Sequence, residues 1–182
     1  MIRLAWLIGL FLATTPAAGQ EYKPVDQESS VRFKIKNFGI QVEGSFHGLS
    51  GKIRFDPQQP DQSEFDVSVD ALTLETGIKL RNNHIKKKEY LDVESFPRIA
   101  FKSTGMKSGD QPHTWLVTGN LTMKGIARSL SIPFTTEQPL SGAMTFTGEF
   151  VINRRDFGVG GNSLSMADKL TVFIKVLAAT TR

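Results

Sequence analysis

The sequence predicts an all-β protein, an antiparallel sandwich or barrel interrupted by one helical insert. Three observations carry this. About ten short runs alternate apolar and polar residues with the period of two that marks a half-buried strand. Turn residues separate those runs at short spacing. Long crossover helices, which parallel strands would need, are missing.

Taken in order, Val31, Phe33 and Ile35 share one face, with Arg32, Lys34 and Lys36 on the other. Asn37 and Gly39 offer a turn into a run with Ile40, Val42, Gly44 and Phe46 on one side and Gln41, Glu43 and Ser45 on the other. A bend is expected at Gly48 to Gly51, then a strand through Ile53 and Phe55 that Asp56-Pro57 stops. Phe65, Val67 and Val69 begin the next strand, with Asp66, Ser68 and Asp70 outward.

Residues 74–101 then read as the one helical segment. Thr76 is the expected N-cap and Pro97 the stop. On a helical wheel, Ile78, Leu80, Arg81, His84, Ile85, Lys88 and Leu91 fall in one arc, opposite Lys79, Asn82, Asn83 and Lys86. That arc is expected to face inward as the underside of a lid.

Alternation resumes at Ile99 and Phe101, with a loop expected from Ser103 to His113. Strands follow through Trp115, Val117, Gly119 and Leu121, through Leu130, Ile132 and Phe134, and through Phe146, Gly148, Phe150 and Ile152. An irregular run from Arg154 to Asn162 precedes a closing strand with Leu170, Val172, Ile174 and Val176. Gly44, Gly119 and Gly148 each sit at an inward position between two large apolar residues. Mid-strand glycine implies either a bend or room for something close by.

The 182 residues carry a formal charge of +4 and no cysteine. A chain without disulfides must stand on its hydrophobic core, and about 160 residues suffice for one domain. Residues 1–19 read as a cleavable signal peptide, with Arg3, the apolar run Leu4 to Ala13, and the small residues Ala17-Ala18-Gly19. The expected product, residues 20–182, is one soluble domain, periplasmic or secreted. The modest basic excess is not a nucleic-acid signature.

The order and spacing of several motifs together resemble the YceI-like proteins. They are Ser30-Val31-Arg32-Phe33, Val42-x-Gly44-x-Phe46, Gly51-x-Ile53-x-Phe55-Asp56, Arg81-x-x-His84-Ile85, Tyr90-Leu91-Asp92, Phe96-Pro97, Gly119-x-Leu121-Thr122-x-x-Gly125 and Arg154-x-Asp156-Phe157-Gly158. The resemblance covers nearly all of residues 20–182. It implies an extended, lipocalin-like antiparallel barrel around an apolar lumen, a helical insert closing one end, and binding of a polyisoprenoid lipid or a quinone with such a tail. The family often has aspartate where Asn83 stands and histidine near Ser29. On this reading the ligand-binding residues are Phe33, Ile35, Val42, Phe46, Ile53, Phe55, Phe65, Val67, Ile78, Arg81, His84, Ile85, Phe101, Leu121, Phe146, Phe150, Phe157 and Val172.

The chemical candidates are few. His47, His84 and His113 share no metal-ligand spacing, so no metal site is expected. Arg81 and His84 read either as structural groups paired with a carboxylate such as Asp92 or Asp168, or as a polar collar for a lipid head group. Asp156-Phe157-Gly158 lacks the phosphate loop and catalytic-loop motif of kinases and reads as a turn, with Phe157 available to the lumen. Lys86-Lys87-Lys88 is a solvated face that could meet anionic lipid. No nucleophile elbow or catalytic triad is present, and no cofactor is expected.

The leading expectation is therefore a non-enzymatic carrier or storage protein for a long apolar lipid. An enzyme acting on such a lipid through Arg81 and His84 is the alternative. A transmembrane barrel is disfavoured, because the outward positions are charged and the inward ones apolar. Transient contact with a membrane surface and a homodimer are compatible with the leading reading.

Overall fold

The structure is a computed structural model, and it describes residues 19–181. The expected signal peptide, except Gly19, lies outside the described residues. The strands are β1 (Gln20–Pro24), β2 (Ser30–Asn37), β3 (Ile40–Phe55), β4 (Glu64–Glu75), β5 (Arg98–Ser108), β6 (Thr114–Met123), β7 (Ile126–Glu137), β8 (Ala143–Asn153) and β9 (Met166–Thr180). The helix α1 spans Lys79–Ile85. Every pairing is antiparallel, in the order β1-β3-β2-β9-β8-β7-β6-β5-β4, and β4 pairs back onto β3.

The sheet thus closes into a barrel. β1 and β2 both lie between β3 and β9, so they share one wall position, broken by a 3-10 turn at Asp26–Glu28. Ser29 holds that break, donating from Oγ to the Val25 carbonyl at 2.7 Å and accepting the Leu177 N–H at 3.2 Å. Eight wall positions result. Eight strands enclose an interior just wide enough for side chains or one small ligand.

Turn chemistry sets much of the connectivity. Phe38-Gly39 and Lys124-Gly125 are two-residue turns whose residues all have positive φ, between 50° and 76°. That conformation matches the twist of an antiparallel hairpin. The turns β2–β3, β4–β5, β6–β7 and β8–β9 gather at one end of the barrel, called the upper end below. The remaining turns and β1 lie at the lower end.

Three expectations need correction. The Gly48–Gly51 bend does not end a strand: β3 runs through it for 16 residues. Bulges between Ser45 and Ser50 and the positive φ of Gly48 and Gly51 absorb the turn of the wall. The loop expected from Ser103 starts later, because β5 continues to Ser108 opposite Trp115, with a register shift at Ser103–Gly105. The helix is only seven residues long, capped by Ile78 rather than Thr76. Thr76 is buried, and β4 reaches Glu75 before the chain turns.

The lower half of the interior is solid. Tyr22, Phe55, Phe65, Trp115, Phe134 and Phe146 are all buried there. Phe55 meets Trp115 and Phe146 edge-on, with centroids 5.1 and 5.5 Å apart, and Phe65 meets Phe146 at 5.4 Å. Such edge-to-face pairs add about 0.5–1.5 kcal/mol each beyond area burial. The Trp115 indole N–H donates to the Thr136 hydroxyl at 3.0 Å, so the plug holds no orphaned donor there.

Candidate ligand-binding lumen

Above the aromatic plug the interior is not filled. Inward residues there, among them Val31, Phe33, Phe46, Val67, Phe150, Leu170, Val172 and Ile174, are only partly buried although they point to the barrel axis. They surround an apolar cavity of about 160 Å³. The only polar side chains among its neighbours belong to Arg32 and Ser68, and both alternate outward in their strands. A dry apolar cavity of about 150 Å³ holds a benzene-sized molecule.

The structure brings ten of the expected residues around this cavity: Phe33, Phe46, Ile53, Phe65, Val67, Phe101, Leu121, Phe146, Phe150 and Val172. It also places Leu49, Val69, Met123, Ile152, Leu170 and Ile174 there. Strand alternation already pointed Val69, Ile152, Leu170 and Ile174 inward. Leu49 was hidden by the expected bend and Met123 by the turn that follows it.

Eight expected residues do not border the cavity. Phe55 is buried in the plug below it. Ile35 and Val42 pair with each other near the rim, and Phe157 is buried in the cap at 2% exposure. Ile78, Arg81 and His84 stand apart because α1 is turned away from the predicted arc, while Ile85 packs against the core without reaching the cavity. Ile78 is 51% exposed and Leu80 82%, whereas Asn82, expected outside, is 5% exposed.

Hydrogen bonding explains that rotation. The Asn82 amide oxygen accepts the Thr76 N–H at 2.9 Å and its hydroxyl at 2.6 Å, and the amide nitrogen donates to Glu75 at 2.8 Å. Arg81 donates to the Thr76 hydroxyl and carbonyl, not to Asp92 or Asp168. His84 is exposed and sits against Tyr90, with ring centroids 4.7 Å apart. Donation from Asn82 and then from the Gly77 N–H holds the Glu75 carboxyl below its usual range.

The upper end is covered instead by the segments after α1 and after β8. Leu91, Val93, Phe157 and Val159 are buried beneath it. The Gly160 N–H donates to the Glu89 carbonyl at 2.9 Å, and the Lys124 ammonium donates to the Gly158 carbonyl at 3.0 Å. Arg154 staples this cap. Its side chain is 2% exposed and donates to the carbonyls of Val159, Gly161, Met166 and Ala167 at 2.7–3.1 Å and to Asp168 at 3.0 Å. Asp168, an expected partner of Arg81 or His84, is thus held by Arg154 and Arg155.

The three inward glycines are close approaches, not vacant room. A Cβ on Gly44 would lie 2.4 Å from the Phe33 ring, and one on Gly119 would lie 2.6 Å from the Phe101 ring and 2.5 Å from the Lys102 carbonyl. At Gly148 the Pro133 carbonyl approaches to 2.9 Å. The glycines let the rings and the neighbouring strand move in.

One side of the wall is loosely sewn. β7 and β8 pair only from Phe134 to Glu137 against Thr145 to Gly148, so residues 126–133 and 149–153 diverge. Pro133, which cannot donate to a ladder, stands where they part. An outer groove there is flanked by Arg32, Pro133, Glu149 and Lys175. The barrel exterior carries ion pairs such as Lys34–Glu43 at 2.9 Å and Lys102–Asp66 at 3.4 Å, while the interior is apolar. That is the reverse of a membrane-spanning barrel. No group of metal-ligating side chains occurs among the described residues.

Comparison with known proteins agrees with this architecture. A YceI-like domain model matches residues 22–178. A protein of Pseudomonas savastanoi called UPF0312 protein is 33% identical over 141 residues, covering 74% of this chain and 73% of its own. The crystal structure of Burkholderia cenocepacia BcnA superposes with a TM-score of 0.79 at 27% identity, over 86% of this chain and 99% of that one. A structure described as a polyisoprenoid binding domain from Saccharophagus degradans shares the fold, with a TM-score of 0.71 at 14% identity over 88% of this chain and 98% of that one. Barrel, cap and matched span together show that the chain belongs to the YceI-like domain family.

Proposed function

We propose that this protein is a soluble exported carrier or storage protein for a long apolar lipid, a polyisoprenoid or an isoprenoid quinone, held in the barrel lumen. The observation that carries the proposal is the cavity above the aromatic plug, bounded by apolar side chains and lying below a cap. The polyisoprenoid binding named for the Saccharophagus degradans domain supports the ligand class. The basic, apolar and small-residue order of residues 1–19 supports export.

The cavity limits what binds without rearrangement. Six carbons at about 0.8 kcal/mol each contribute roughly 5 kcal/mol, against an association cost of at least about 4 kcal/mol. A short tail is therefore held weakly, and a long one must displace rings such as Phe33, Phe46 or Phe150. Binding, not catalysis, is the reading that fits: Arg81 is engaged by Thr76 and His84 lies outside the lumen.

Fluorescence of N-phenyl-1-naphthylamine in the purified protein tests this. The probe is expected to brighten on binding and to be displaced by polyprenols with increasing affinity as the chain lengthens. Absence of probe binding, or displacement independent of chain length, would overturn the proposal.

A further inference from the structure

The upper end carries large apolar side chains with no partner in the barrel. Phe38 is 79% exposed, Ile40 71%, Ile78 51%, Leu80 82%, and Leu164 fully exposed. The β2–β3 turn and the β8–β9 loop touch, the Phe38 N–H donating to the Ser165 carbonyl at 2.7 Å. Helix α1 follows β4, whose Glu75 lies opposite Ser45 on β3, so the segment carrying Ile78 and Leu80 rises beside the strand that carries Ile40.

Phe38 stands out further. Its φ of 50° is the left-handed conformation, which asparagine and glycine adopt readily and a bulky side chain does not. Lys124 occupies the matching place in the other two-residue turn. A strained residue at an exposed tip points to a use for its side chain.

Charge is divided along the barrel as well. The four segments that build the upper end, residues 34–43, 75–97, 124–128 and 153–169, hold twelve Lys or Arg against seven Asp or Glu. The other described residues hold eight against eleven. Apolar tips set among lysines such as Lys36, Lys79, Lys87 and Lys88 fit the interface of an anionic bilayer, where the tips enter the acyl boundary and the cations meet head groups.

We propose that the upper end docks on the surface of an anionic phospholipid bilayer through Phe38, Ile40, Ile78, Leu80 and Leu164. The docked orientation places the cap segments, and the lumen behind them, against the membrane. The proposal deepens the carrier reading but rests on its own observations.

Vesicle co-sedimentation tests it. Wild-type protein is expected to sediment with vesicles of phosphatidylethanolamine and phosphatidylglycerol at low salt, less so at 0.5 M salt, and not with phosphatidylcholine alone. The triple variant Phe38→Ser, Leu80→Ser, Leu164→Ser changes only exposed side chains. It is expected to lose vesicle binding at least tenfold while keeping its Tm and its N-phenyl-1-naphthylamine binding. Failure of wild type to sediment, or unchanged binding by the variant, overturns docking by the tips. A concentration-dependent dimer in ultracentrifugation, abolished by the same variant, overturns it in favour of a second copy as the occupant. Vesicle binding without probe binding would instead sink the carrier reading and leave docking standing.

Discussion

Arg154 and Asn82 are the two side chains on which the upper end depends. Arg154 is a buried charge whose donors meet carbonyls of the β8–β9 loop and of the start of β9, and Asp168, so its removal leaves that ring of acceptors unpaired. Arg154→Met is expected to cost about 3–5 kcal/mol, and Arg154→Lys to recover only part, because lysine lacks the planar fork. Urea denaturation measures both. Asn82→Ala is expected to cost about 1–3 kcal/mol through the buried Thr76 groups left unpaired. Glu75, whose native carboxyl titrates below its unfolded value, adds a stabilisation that is complete above the ordinary carboxylate range. That stabilisation drains as pH falls through the lowered native value. In an NMR titration the Gly77 amide and Asn82 side-chain signals should move with a midpoint below that of a free glutamate. A midpoint at the ordinary value would contradict the assigned hydrogen bonds. None of this was legible in the sequence. A helical wheel sorts residues by hydrophobicity and put Leu80 inside and Asn82 outside, but a seven-residue helix has little apolar face to bury, and the buried Thr76 groups needed a partner. The partners of Arg154 are mostly main-chain carbonyls, which leave no mark on residue type.

At the level of elements, strand alternation was the legible signal and the irregularities were not. Inward and outward faces read from the period of two hold through β2, β6 and β8, because slipping by one residue would expose a whole apolar face. The continuation of β3 past Gly48 and of β5 past Ser103 depends on bulges, which insert a residue without changing composition. The seam between β7 and β8 left only Pro133 as a mark, since both strands otherwise alternate normally where they part. It carries its own prediction. Within residues 149–153, amides directed at β9 should be protected from hydrogen exchange, while alternate amides directed at β7 exchange far faster. Uniform protection along β8 would mean that the seam is closed in solution. The plug and the lumen should also answer differently to truncation. Phe55→Ala in the plug is expected to cost about 3–5 kcal/mol. Phe150→Ala, which faces space already empty, should cost distinctly less and should improve binding of long polyprenols.

For the whole molecule, the division into a solid lower half and an open upper half is what links fold to function. Eight wall positions leave room for side chains or one ligand, and the six rings below use that room up. Above them the lining is apolar, and the cap is held by buried Leu91, Val93, Phe157 and Val159 together with hydrogen bonds. The exterior carries the charge, divided so that its basic excess lies at the capped end. Native mass spectrometry of the protein expressed from all 182 residues and purified without detergent tests lumen binding without any added probe. The expected result is a population carrying one apolar adduct that organic solvent removes and that Phe46→Trp, by filling the lumen, diminishes. A uniformly ligand-free protein that also takes up no added polyprenol would contradict it.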